Sequence, residues 1–302
     1  MEYDWEFLLN ATAERANRST VPILAKQFDT PAQHGTGTLV RVADDYFLVS
    51  AAHVLIPSIE LKVPLFIAAE NESLILLKQA SAIYTPKFQD LIRDEDPFDL
   101  AVWKLDDETV SRLSRKRFLD QTDIRVDTDL TRGRYLVFGY PCAWSAPLED
   151  APKTIAQAPI AIHAGIYAGL TNFELYDSKY HILLGFSAGT AVNATGNSEP
   201  VPDSLEGISG CSIWKMFDEV CEPEEWNPSM AKVVAVQTGI HRGVIRGTKW
   251  PGVLTALVSK WPKLKRCFNL WFPDSTPSHS SSPAASSAQT ASEPLGSTAG
   301  PC

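Results

Sequence analysis

The runs GTGTLVRV (35–42) and DYFLVSAAHVL (45–55) carry the fold class. Both are short and rich in apolar and β-branched or aromatic residues, and Gly or Asp punctuates them. The same texture starts at Val21 and recurs at VPLFIAA (63–69), SLILLKQASAIY (73–84), DLAVWKL (99–105), RYLVFGYP (134–141), AIHAGIYAG (161–169), YHILLGFS (180–187), CSIWKM (211–216) and AKVVAVQTGI (231–240). About ten such runs with few helical patterns between them predict an all-β barrel or sandwich. A parallel α/β sheet would need helical segments between the strands, and these are missing. Helical patterning is confined to a short amphipathic segment holding Trp5, Leu8 and Leu9, to residues 105–120 between the two β halves, and to residues 259–272 at the end of the folded part.

The chain has 302 residues, 44% hydrophobic and 21% charged, a globular composition large enough for two domains. Lysine and arginine total 27 against 36 aspartates and glutamates, a net charge of −9 with no basic run, which argues against nucleic acid as a partner. No apolar stretch approaches the ~18 residues that a membrane helix needs, so no membrane is expected. The first twenty residues carry acidic groups and lack an apolar core of signal-peptide type, so the expected location is cytoplasmic. Five cysteines without C-x-x-C spacing suggest neither a zinc site nor a disulfide framework. Residues 274–302 are almost all Ser, Ala, Pro, Thr and Gly and read as a disordered tail.

Three segments carry groups suited to chemistry. His53 follows a buried run inside small residues. It suits either a hydrogen-bonded structural role or proton transfer. Asp99 opens the run DLAVWKL, either as a turn residue or as a carboxylate that orients an imidazole. In Gly207-Ile208-Ser209-Gly210 the glycines let the backbone curl so that several N–H groups point into one spot, as an oxyanion hole requires.

The order His53, Asp99, Ser209, with GTGTLV (35–40), SAAH (50–53), DLAV (99–102), VFGYP (137–141), GISG (207–210) and VVAVQTG (233–239), resembles the chymotrypsin-like (trypsin-like) serine peptidases, especially compact bacterial members. The order excludes the α/β-hydrolase arrangement, where serine comes first. The resemblance covers roughly residues 20–270. It implies two packed six-stranded antiparallel β-barrels with short N- and C-terminal helices, the first within 1–122 and the second within 123–273. It also implies a Ser209–His53–Asp99 triad, an oxyanion hole from the N–H groups of Gly207 and Ser209, a protein or peptide substrate, and no metal or organic cofactor.

The motif departs from the common G-D-S-G-G-P pattern. Ile208 cannot pair with a newly cut N-terminus, so the site is expected either to be preformed or to be completed by an activating protein partner. Asp203 lies six residues before Ser209, where it suits either a basic-side-chain pocket or a Pro-Asp-Ser turn. Glu206 is expected at the pocket rim, and Gln237, Thr238 and Gly239 along the strand that pairs with an extended substrate. Cys211 is expected to be a small buried residue. The alternative to a peptidase is a barrel of the same fold that binds peptides without turnover.

Overall fold

The run Asp45–Ala51 is apolar because both of its faces are buried: Phe47 and Val49 point into one core and Leu48 into another. The same holds for Arg134–Gly139, with Tyr135 and Val137 on one side and Leu136 and Phe138 on the other. Strands sandwiched in this way lose the polar alternation of a half-exposed sheet. The computed structural model describes residues 5–27, 30–68, 74–78, 82–85, 96–126, 130–148, 151–169, 173, 175–187, 191–193, 197–217 and 225–271. The expected disordered tail (274–302) lies outside the described residues.

Helix α1 (Trp5–Ser19) precedes β1 (Thr20–Gln27), β2 (Thr30–Val42) and β3 (Asp45–Ala51); helix α2 (Ala52–Leu61) precedes β4 (Leu65–Ala68), β5 (Leu74–Leu76), β6 (Ala82–Tyr84) and β7 (Leu100–Lys104). These strands form one curled antiparallel sheet in the order β5-β4-β1-β2-β3-β7-β6. It has seven strands where six were expected, and among the described residues its edges do not pair with each other. Helix α3 (Asp107–Arg112) leads to β8 (Arg134–Gly139), the hairpin β9 (Ser145–Leu148) and β10 (Ala151–Gln157), β11 (Ile160–Ile166), β12 (His181–Gly185), β13 (Ala191–Val192), β14 (Ser198–Glu199), β15 (Ser212–Phe217), β16 (Lys232–His241) and β17 (Val244–Lys249). Strands β12-β17-β16-β15-β8-β11 close on themselves, because Gly165 and Ile166 of β11 pair back with Gly185 and Leu184 of β12. A closed six-stranded antiparallel barrel packed on a curled sheet is the chymotrypsin-like double barrel.

A core sits between the two sheets. Phe47, Val49, Phe138, Trp214 and Met216 meet there, covered by Leu8 and Ala16 of α1 and by Trp250 and Val253 of α4 (Trp250–Lys260). Each such large side chain contributes roughly 1.5–3 kcal/mol by leaving water. Among the described residues, no helix is long and apolar enough to cross a membrane.

Three local expectations change. The run 45–55 is not one strand, because it turns into α2 at Ala52 and places His53 in a helix's first turn. The helix expected over 105–120 ends at Arg112; Leu119 instead runs beside β2, its N–H donating to Leu39 O (2.9 Å) while its carbonyl accepts from Arg41 N–H (2.8 Å). The helix expected over 259–272 is two helices, α4 and α5 (Lys265–Trp271). Pro262, which has no N–H to continue the ladder, starts the separate turn between them.

Candidate active site

Helix α2 begins without a side-chain cap of its own. Asp99 supplies one from the start of β7: its carbonyl accepts from Ala52 N–H (2.8 Å) and its Oδ1 from His53 N–H (3.1 Å). These are two of the donors that a helix start leaves unpartnered. Its other oxygen, Oδ2, accepts from His53 Nδ1–H at 2.7 Å. One carboxylate thus holds both the backbone and the ring of His53, and leaves Nε2 as the ring's outward, proton-accepting nitrogen.

Asp99 holds this position in a left-handed conformation (φ +47°) that costs most side chains energy. Asp96 stabilises it. Its Oδ1 accepts from Phe98 N–H (3.0 Å) and its Oδ2 from Asp99 N–H (2.9 Å), and Thr85 Oγ1 also donates to Oδ2. Burial raises the Asp96 pKa above the usual carboxylate value, against the pull of these three donors. From the second barrel, His181 Nε2–H donates to Pro97 O (2.6 Å) and Thr248 Oγ1 donates to Phe98 O (2.7 Å).

The Ser209 turn is built around two glycines that no other residue could replace without strain: Gly207 at φ +95° and Gly210 at φ +89°. A Cβ on Gly207 would lie 2.8 Å from the backbone nitrogen and Sγ of Cys142 and from Tyr140 O. On Gly210 it would collide with Ser50 Oγ and Thr36 O, so this turn packs on the strand end that leads to His53. The peptide planes are fixed by their carbonyls. Glu206 O accepts from Cys142 N–H (2.6 Å) and Ile208 O from Cys211 N–H (3.0 Å). In a trans peptide the N–H points opposite its plane's carbonyl, so the N–H groups of Gly207 and Ser209 are turned away from both bonds. Among the described residues, neither donates to a protein acceptor.

The first sheet braces this turn. Thr36 N–H donates to Ser209 O (2.8 Å), and Thr36 Oγ1 donates to Gly207 O (2.8 Å) while accepting from Tyr140 N–H (3.1 Å). Gln33 Nε2 donates to Tyr140 O (3.0 Å). Ser209 Oγ makes no hydrogen bond to His53 Nε2 in this structure.

Asp203 and Glu206 are exposed on the approach to the turn. Gln237 and Thr238 are buried and Gly239 is half-buried, next to the Ser209 turn: Gly210 N–H donates to Gln237 O (2.9 Å) and Gln237 N–H to Cys211 O (2.8 Å). The Gln237 side-chain amide is buried with no partner among the described residues. Cys211 is fully buried, and burial pushes its thiol pKa far up, so its thiolate is suppressed. His34, whose Nε2–H donates to Val54 O (3.0 Å), has its pKa lowered by burial and further by nearby His53. Sequence reasoning passed over Asp96 as an anchor, and the signal for it was a second aspartate three residues before Asp99.

No protein-family model and no curated protein matches this sequence. Among solved structures, the fold is similar to a thermostable serine protease, AL20, from an extremophilic microorganism (10% identity over 82% of this chain and 99% of that one, TM-score 0.46). It is also similar to the inactive form of Rv3671c from M. tuberculosis (13%, 87% and 96%, TM-score 0.44) and to the serine endoprotease from Yersinia pestis (13%, 85% and 66%, TM-score 0.45).

Proposed function

We propose that the chain is a serine endopeptidase acting through an acyl-enzyme. Ser209 Oγ attacks the scissile carbonyl carbon as His53 Nε2 takes its proton. Asp99 holds the Nδ1–H and stabilises the imidazolium. The oxyanion is received by the N–H groups of Gly207 and Ser209. His53 then returns the proton to the leaving amine, and water releases the acyl group by the same steps. His53 and Asp99 come from the first domain (1–122) and Ser209 from the second (123–273), so substrate lies between them. The segment Gln237–Gly239 pairs with its backbone.

The observation that carries this reading is the orientation of the Gly207 and Ser209 N–H groups, turned away from the bonds that hold the opposite ends of their peptide planes and left without a protein acceptor among the described residues. A pair of donors fixed before substrate arrives needs no reorganisation as charge develops, and each is worth about 3–4 kcal/mol in enzymes of this chemistry. The absent Ser209–His53 hydrogen bond favours a second reading, a barrel that binds peptide and is completed by a partner. Apo sites often close this bond only with substrate. Fluorophosphonate labelling with mass-spectrometric location of the adduct separates the two. Labelling at Ser209 that is lost in Ser209→Ala and His53→Ala is the expected result, and an unlabelled wild-type chain refutes autonomous catalysis.

A further inference from the structure

Away from the candidate active site, a cavity of about 540 Å³ opens on the second barrel, and Arg134, His163 and Arg242 line it. Strand register fixes its floor. Arg134 of β8 pairs with Gly165 of β11, Gly165 with Gly185 of β12, and Gly185 with Val244 of β17. This row of four residues crosses the strands and spans about 14 Å at the usual strand spacing. A chain neighbour of each (Tyr135, Ala164, Leu184 and Ile245) belongs to the barrel interior, so alternation turns the whole row to the outer face. His163 and Tyr167, two residues either side of Gly165, share that face.

The backbone requires neither glycine of the floor. A Cβ on Gly165 would meet nothing within 4 Å, and one on Gly185 would meet only the Tyr167 side chain at an ordinary 3.5 Å. Neither has a positive φ. Glycine inside a strand gives up packing and conformational entropy, and it marks places where a ligand or another backbone comes close.

Arg242 stands at one end of the row. His241 pairs with Val244, so Arg242 and Gly243 are the two-residue tip of the β16–β17 hairpin, with φ of +47° and +76°. Phe186 N–H donates to Gly243 O (3.4 Å) and ties this tip to β12. Arg242 is exposed and, among the described residues, makes no hydrogen bond or ion pair. At the other end, burial and then the charge of nearby Arg134 lower the His163 pKa, so that ring is neutral at pH 7. Among the described residues no carboxylate lines the cavity, although the chain carries a net charge of −9.

We propose that this trough docks an acidic peptide segment of another protein, laid across the two glycines with one carboxylate on Arg242 and a second toward Arg134. The proposal is independent of the peptidase reading, because His53, Asp99 and Ser209 do not line the cavity. A floor of about 14 Å takes roughly four residues of extended chain, so the two carboxylates stand about four positions apart. Guanidinium groups hold carboxylates through paired, charge-assisted hydrogen bonds, and the bare floor lets the peptide backbone approach. Residues 274–302 of this chain hold only Asp274 and Glu293 as acidic side chains, too far apart in sequence to make such a pair.

Fluorescence anisotropy tests the site on the full chain carrying Ser209→Ala. The probes are end-blocked, fluorescein-labelled Gly-Glu-Gly-Ser-Gly-Glu-Gly and its counterparts with Gln or Lys in place of both Glu. The Glu peptide is expected to bind about tenfold tighter than the Gln peptide at low ionic strength, and salt narrows the difference. Arg242→Asn, which suits the left-handed turn, cuts that preference to about threefold or less, and Arg242→Glu moves it to the Lys peptide. Gly165→Val fills the trough and weakens the Glu peptide about tenfold while the melting temperature holds. Arg132→Ser, at an exposed arginine outside the cavity, leaves binding unchanged. No binding of the Glu peptide, equal binding of the Glu and Gln peptides, or a preference that survives Arg242→Asn or Gly165→Val overturns the proposal. So does an equal loss in Arg132→Ser, which would assign the attraction to general surface charge.

Discussion

Replacing Gly207 with alanine tests the proposed oxyanion geometry directly. At φ +95° an L-residue pays about 1–2 kcal/mol of backbone strain, and its methyl would stand 2.8 Å from the Cys142 nitrogen, the Cys142 sulfur and Tyr140 O. Two of those three atoms are main chain and cannot swing aside. The segment at residue 207 must therefore move, and the bond it strains is the one from Cys142 N–H to Glu206 O, at 2.6 Å. That bond sets the direction of the Gly207 N–H. The expected stability loss is about 2 kcal/mol, a melting temperature lower by about 4–8 °C. On the proposed mechanism, losing this N–H as an oxyanion donor lowers kcat by about 10²–10³ and leaves KM within about threefold, because the donor acts on charge present mainly in the transition state. Hydrolysis of an activated ester gives the kinetic constants, and calorimetry on the same preparation gives the melting temperature. A variant whose melting temperature falls as expected while kcat stays within about threefold of wild type would refute the reasoning. The turn would then have moved without costing any stabilisation of the transition state.

The other predictions concern the supports of the site. His181 is buried, with Nδ1 accepting from Asp177 N–H (3.0 Å) and Nε2–H donating to Pro97 O, and burial lowers its pKa from 6.5 to about 4. A folded value below the unfolded one contributes stability that is present above pH 6.5 and lost as pH falls toward 4, roughly 3 kcal/mol in all. Urea melts across that range should therefore show a steeper slope in wild type than in His181→Gln, and equal slopes would sink the assignment. Asp96→Ala strips the acceptor from Phe98 N–H and Asp99 N–H, at about 2–3 kcal/mol, and slows labelling of Ser209 at least about tenfold; Asp96→Asn restores part of both. Labelling at the wild-type rate in Asp96→Ala would show that Asp99 holds its place unaided. Thr36→Val leaves Gly207 O and Tyr140 N–H without their shared partner and costs about 1–3 kcal/mol, read by chemical denaturation.

The fold was legible because doubly buried strands leave continuous apolar runs, and Phe47–Val49 or Tyr135–Phe138 announce themselves without alignment. Helix α2 was not, since its apolar run Val54–Ile56 follows directly on β3 and periodicity cannot separate so short a buried helix segment from a strand. Strand β17 escaped for the opposite reason: VIRGTK holds only two large apolar residues, and its assignment comes from pairing with β16 and β12. The candidate site divides in the same way. His53, Asp99 and Ser209 each sit in a distinctive local run. The left-handed backbone of Asp99 depends on Asp96 and, across the barrels, on His181 and Thr248, contacts that no local pattern encodes.

The Thr36 braces have a consequence for how the molecule comes apart. The carbonyls at 207 and 209 are held by a strand of the other sheet, so neither half contains its own finished turn. Cutting the chain between α3 and β8 should yield two fragments that are each inert toward a serine probe and become reactive only on reassociation. The appearance of labelling would then count docked pairs, making the molecule a natural split reporter whose signal measures the contact between its own halves.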